Sequence, residues 1–229
     1  MTYHPNNSST CPLVYSSFTM SDKAYLSKLI SEGEHQHQDF KYKVMDACKL
    51  AKSVSAFANT EGGRLLIGVR DDGHLSGVRS EEEIFMMRCA ASEYCRPEAQ
   101  IDFETYHAEG RTIVIATVMP SNNKPIRALC DDGKWRAYIR VDDENIVASP
   151  VHVRIWRDDQ SPKGQLVNIG SGEQLLLDAM SGSEALTLPQ VVKRSGVSRH
   201  KAVVTLARLV RFQLAECHLQ SQKFVFSLL

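Results

Sequence analysis

Asp39 and Lys41 stand two residues apart, so on an extended strand both side chains point to one face. There the ammonium can meet a phosphate or pair with the carboxylate. His35 and His37 repeat the alternation just upstream, a spacing open to two metal-ligating imidazoles, with no third ligand evident beside them. Arg136 and Arg140 share one face of a later strand that starts near Trp135. Arginine with an aromatic suits phosphate contact or base stacking, and equally the charged outer positions of a half-buried strand. Near the C-terminus Arg199, His200 and Lys201 fill the first turn of a helix that Ser198 can cap, the part of a helix-turn-helix that enters a major groove. Lys193, Arg194 and Lys223 can add phosphate contacts that carry no sequence choice. The same unit can instead serve protein pairing alone.

These residues need elements to position them. Residues Met1 to Thr19 are polar and non-periodic and are expected to form a disordered tail; Met20 is a second candidate for the natural start. Ser21 caps a helix with Tyr25, Leu26, Leu29 and Ile30 at helical spacing. A short strand over Gln36 to Tyr42 follows, then a helix over Asp46 to Asn59 with Cys48, Ala51, Val54, Ser55 and Ala58 facing inward. Asn59, Thr60, Gly62 and Gly63 form either a helix-to-strand turn or a ligand loop, and the two roles are compatible. The run Arg64 to Val69 reads as a buried strand, with a tight turn over Asp71-Asp72-Gly73-His74 after it.

A helix over Glu81 to Tyr94 precedes strands over Ala99 to His107, Arg111 to Met119 and Lys134 to Val141. This mixture predicts an α+β fold, a mixed α/β sheet domain over 20–157. A linker over 158–170 is rich in residues typical of linkers, and a winged helix-turn-helix module is expected over 171–229. Its helices are expected at 172–180, 188–194 and 198–212, and its wing strands at 214–219 and 224–229.

Lys and Arg balance Asp and Glu at 27 each, which argues against a uniformly basic coat. From Ser171 onward, however, seven Lys or Arg face four acids, a net +3 on the C-terminal module against −3 on the rest. No apolar stretch approaches membrane-spanning length and the opening residues lack signal-peptide character, so a cytoplasmic protein is expected. Six cysteines stand singly and are read as reduced and structural.

Three segments in order resemble the linked motifs of the Schlafen AlbA-like family: Glu34 to Lys41, Ala56 to Gly63 and Ile67 to Gly73. Lys124-Pro125 and Ala137 to Val141 resemble the family's closing segments, so the likeness covers about Glu32 to Ser149. The resemblance implies a nucleic-acid-binding domain, found in bacterial proteins labelled as transcriptional regulators or, on older analogy, as ATP-binding. ATP is not expected here, because no GxxxxGK[ST] loop is present and Gly62-Gly63 precedes a strand.

The resemblance also singles out Arg140. It maps the three acids of nuclease relatives onto Glu34, Asp39 and Asp71, where Asp39 replaces the usual Glu. Such acids can hold Mg²⁺ or Mn²⁺ for RNA cleavage; otherwise no cofactor is expected. The leading expectation is a DNA-binding regulator, with duplex DNA favoured over RNA and a homodimer open to it. A metal-dependent endoribonuclease and an oligomeric scaffold are the alternatives. Every version expects the acid-lysine strand beside the glycine-led strand, forming a groove that faces a polyanion.

Overall fold

The computed structural model describes residues 21–78, 81–160, 170–182 and 184–229. The expected tail, 1–19, lies outside the described residues, as do positions 161–169 of the expected linker.

Helix α1 (Asp22–Glu32) begins on Ser21, whose Oγ accepts from the Ala24 N–H. Strand β1 (Gln38–Lys41) leads into α2 (Ala47–Asn59), which Asp46 caps through the Cys48 and Lys49 N–H groups. The chain returns as β2 (Gly63–Ile67), parallel to β1 with Asp39 opposite Leu65. After α3 (Glu81–Ser92) and the two-residue β3 (Cys95–Arg96), the hairpin of β4 (Ile101–Ala108) and β5 (Arg111–Val118) completes a sheet ordered β1-β2-β5-β4. Strands β6 (Arg127–Leu129), β7 (Trp135–Val141) and β8 (Glu144–Val147) join β3 in a second, antiparallel sheet.

Period-two patterning decides what each face of the first sheet covers. Phe40, Leu66, Ile113 and Ile115 pack with Leu26 and Leu29 of α1, while Leu65, Ile67, Val114 and Ala116 pack with α2 and α3. Each of the larger of these side chains, fully buried, contributes roughly 1.5–3 kcal/mol.

Helix α2 is buried on nearly every side rather than along one inward stripe. The reason is that it lies between layers. Its apolar residues meet the first sheet, while Ser55 and Asn59 serve the second. Ser55 Oγ donates to the Ile126 carbonyl at 2.8 Å and accepts from the Tyr138 N–H at 3.1 Å. A buried polar helix face is tolerated because its groups find partners on β7 and beside β6.

Helix α4 (Pro150–Asp159) follows directly, started by Ser149 and by Pro150 in its first turn. Beyond residue 170 come α5 (Ser171–Met180), β9 (Leu186–Thr187), α6 (Leu188–Ser195), α7 (Arg199–Arg211), β10 (Ala215–Gln220) and β11 (Lys223–Leu228). The last two strands form a hairpin that β9 extends into a sheet ordered β10-β11-β9. Val151 and Ile155 of α4 pack in the same core as Leu176, Val191, Leu206 and Phe226. Thus α4 belongs by its packing with the C-terminal helices. The mixed α+β architecture is as expected; β3, β6, β8, β9 and α4 are additions to it.

Candidate nucleic-acid interface

The edge strand β1 carries the first group of candidate residues. Glu34 precedes it and turns back, so that its Oε1 accepts the Phe40 N–H at 2.8 Å. Asp39 is buried, with Lys41 Nζ at 2.7 Å, Ser53 Oγ at 3.5 Å and Arg140 Nη2 at 3.6 Å. Burial pushes the Glu34 carboxyl above its ordinary value, and a hydrogen bond with Asp39 acts the same way against the Phe40 N–H. At Asp39 burial also opposes ionisation, but the bond from Glu34 and the charges of Lys41 and Arg140 outweigh it, holding this carboxyl below its ordinary value. Of the two, Glu34 is therefore the one that protonates first as pH falls.

Asp71 does not join them. Asp39 is level with Leu65, six residues before Asp71, and Asp71 lies in the exposed turn beyond Ile67. Among the described residues no group of three or more His, Cys, Asp or Glu is placed to hold a metal ion. Lys41 and Arg140 both face Asp39, and the expected Glu34–Asp39–Asp71 set is not assembled as a metal-holding group among the described residues. His35 and His37 lie edge to face with ring centroids 6.2 Å apart, and each has its own acid: His35 faces Glu32 at 4.0 Å and His37 faces Glu61 at 3.3 Å.

Strands β1 and β2 are neighbours as expected, but Arg140 corrects the picture of an open groove. Its side chain is 1% exposed. It crosses from β7 to the β1 segment, donating to the carbonyls of His35 and Gln38, to Asn145 Oδ1, and lying over the Phe57 ring. An arginine so committed holds the two sheets together and is not presented to a polyanion. Lys41 is half-buried against Asp39 and the Phe40 carbonyl.

The glycine segment is equally occupied by its own chain. Asn59 Nδ2 donates to the Ile126 and Tyr138 carbonyls, and its Oδ1 accepts the Ile126 N–H at 2.7 Å. The Thr60 carbonyl accepts from Lys124 Nζ. Gly62 has φ +79°, and a Cβ there would lie 2.8 Å from the Val118 carbonyl oxygen. At Gly63 a Cβ would collide with the Phe57 ring.

Against this geometry, the family described as Schlafen, AlbA_2 matches residues 34–149. The chain belongs to this family. The Schlafen AlbA_2 match runs from the acid beside β1 to the cap of α4, so both sheets and α2 lie within it. Solved structures similar to the chain include the following two. The DIP2311 protein of Corynebacterium diphtheriae is 17% identical, with a TM-score of 0.46, covering 83% of this chain and 34% of that one. The N-terminal domain of a RecG-related protein of Nitrosomonas europaea is 20% identical, with a TM-score of 0.39, covering 66% of this chain and 96% of that one. The chain thus spans about a third of the DIP2311 protein. No curated protein sequence matches it.

Outside the Schlafen AlbA_2 match, α6 and α7 present the remaining candidates. Gly196, left-handed at φ +68°, ends α6, and Ser198 Oγ accepts the Lys201 N–H to start α7. Lys193, Arg194, Arg199 and His200 are exposed; Lys201 pairs with Glu173 at 3.4 Å, and Lys223 is exposed at the start of β11. Arg199 and Lys223 line one shallow cavity beside Phe224.

A second basic surface was not evident from sequence. Arg127 of β6, Trp135 and Arg136 of β7, Arg154 and Arg157 of α4 and His200 of α7 line one cleft of about 410 Å³. Arg154 and Arg157 lie on α4, whose local sequence signal is the helix start at Ser149-Pro150.

Proposed function

We propose that the chain is a nucleic-acid-binding protein of regulatory type, which grips duplex DNA with its C-terminal unit used as a winged helix. The observation that carries this reading is the Ser198-capped start of α7. It follows a tight left-handed turn from α6 and holds Arg199 and His200 in solvent, with Lys193 and Arg194 on the preceding helix. A helix N-terminus adds its own partial positive charge toward phosphate. Strands β10 and β11 supply the hairpin that such a reading requires. Membership of the Schlafen AlbA_2 family supports nucleic acid as the partner class. The C-terminal excess of +3 supports a contact made by one end of the chain.

Electrophoretic shift of labelled duplex DNA at low and high salt tests the reading. Binding should weaken as salt rises, and Lys193→Ala combined with Arg199→Ala should weaken it about tenfold or more at intermediate salt. An unchanged affinity in that variant counts against it.

A further inference from the structure

The cleft between the second sheet and helices α4 and α7 has an unusual lining. It holds Arg127, Arg136, Arg154, Arg157, Trp135 and His200, and no acidic residue. Two of its arginines are neutralised locally: Arg136 by Asp132, through bonds of 2.9 and 2.6 Å, and Arg154 by Asp158 at 2.9 Å. Arg127 and Arg157 have no acidic partner among the described residues. Cations of a soluble protein are ordinarily spread among acids; two unpaired guanidiniums facing one concavity make a local positive potential.

The position of the cleft matters as much as its charge. His200 stands in the first turn of α7, so the cleft opens where the proposed DNA-contacting surface ends. Trp135 lies in the same wall with the Arg96 guanidinium 4.6 Å from its ring, an aromatic held among cations as in surfaces that track a nucleic-acid backbone.

We propose that this cleft is a second phosphodiester site. It would take the backbone of the same nucleic acid that α7 engages and make the binding surface continuous from α7 across α4 to β6 and β7. The inference rests on the nucleic-acid reading above and deepens it, because it places half of the contact on arginines outside the helix-turn-helix. Arg127 and Arg157 are its principal contacts; Arg136 and Arg154, each braced by an acid, shape the wall.

The test is a fluorescence-anisotropy titration of the full chain with a labelled duplex DNA, and in parallel an RNA hairpin, over a series of salt concentrations. The variant Arg127→Ala with Arg157→Ala removes no ion pair among the described residues. It should lower the slope of log K against log salt by about 2 on whichever nucleic acid binds, since each phosphate contact contributes about 0.9. If that double variant folds poorly by circular dichroism, Arg157→Glu on the exposed side of α4 replaces it, with a larger expected loss. A wild-type slope in the folded variant overturns the cleft while leaving the α7 reading intact. Absence of any binding by the wild-type chain at the lowest salt overturns both.

Discussion

Arg140 Nη2 lies 3.6 Å from Asp39 Oδ1, and both residues are almost wholly buried. One comes from β7 and the other from β1, so the contact joins the two sheets on either side of α2. Removing one member of a buried pair typically costs about 3–5 kcal/mol where it leaves the other charge uncompensated. Asp39→Ala leaves the buried Arg140 guanidinium without a carboxylate and should lower unfolding free energy by about that amount in urea titrations, whereas Arg140→Ala leaves Asp39 paired with Lys41 at 2.7 Å and should cost less. The double variant should lose clearly less than the sum, because the two substitutions remove the two halves of one contact. Additive losses would mean that the two side chains act independently.

The pairing of Glu34 with Asp39 makes a distinct prediction about pH. Asp39 is held below its ordinary carboxylate value, so its stabilising effect is present above that value and is lost as pH falls through the lower, folded-state value. Glu34 is raised, so its contribution is present below the ordinary value and is lost as pH rises through the higher, folded-state one. The pair should therefore stabilise the fold most between its two titration steps. Glu34→Gln should abolish the decline on the alkaline side of that maximum and Asp39→Asn the decline on the acid side. Urea midpoints measured from pH 3 to 7 would show it. Identical pH profiles for both variants and wild type would refute the opposed shifts.

Gly62 and Gly63 test whether the loop after α2 is shaped by packing. Gly62 combines a left-handed backbone with an approach to the Val118 carbonyl, and Gly63 abuts the Phe57 ring. Gly62→Ala should cost about 1–3 kcal/mol through backbone strain alone. Gly63→Ala should cost about 1–3 kcal/mol through overpacking. Thermal melts of both variants check this, and a melting temperature unchanged from wild type in either would show the loop able to yield.

The long elements were legible because their patterns are strong. Leu26 and Leu29 at helical spacing, the run from Leu65 to Ile67 and the caps Ser21, Asp46 and Ser198 mark their elements from local rules alone. Strands β3, β6, β8 and β9 have two to four residues each, too few to show a period. The site was harder to read. Alternation places Arg136 and Arg140 on one strand, yet only tertiary packing makes one of them a buried clamp and the other a half-exposed partner of Asp132. Nothing local to Asp71 shows that its turn projects past the end of β1. The cleft joins Arg127 to Arg157 across elements that no sequence period relates.

His152 offers a pH prediction in the C-terminal core. Its Nδ1 faces Ser149 Oγ at 2.8 Å and accepts the Ser149 N–H at 3.3 Å, closing the cap of α4. Its ring packs edge-on against Phe224, and its Nε2 is 3.9 Å from the Sγ of Cys217, a thiol that burial pushes up to about 12 and so keeps neutral. Burial lowers the imidazole from 6.5 to about 4, so the folded protein holds it neutral while the unfolded chain protonates. The stabilising effect is thus complete above pH 6.5 and is lost as pH falls toward 4, by an amount on the order of 3 kcal/mol when fully developed. His152→Gln should be less stable than wild type at pH 7.5, and the gap should narrow steadily down to pH 4.5 in guanidinium titrations followed by tryptophan fluorescence. A gap that stays constant over that range would show that His152 does not titrate with folding.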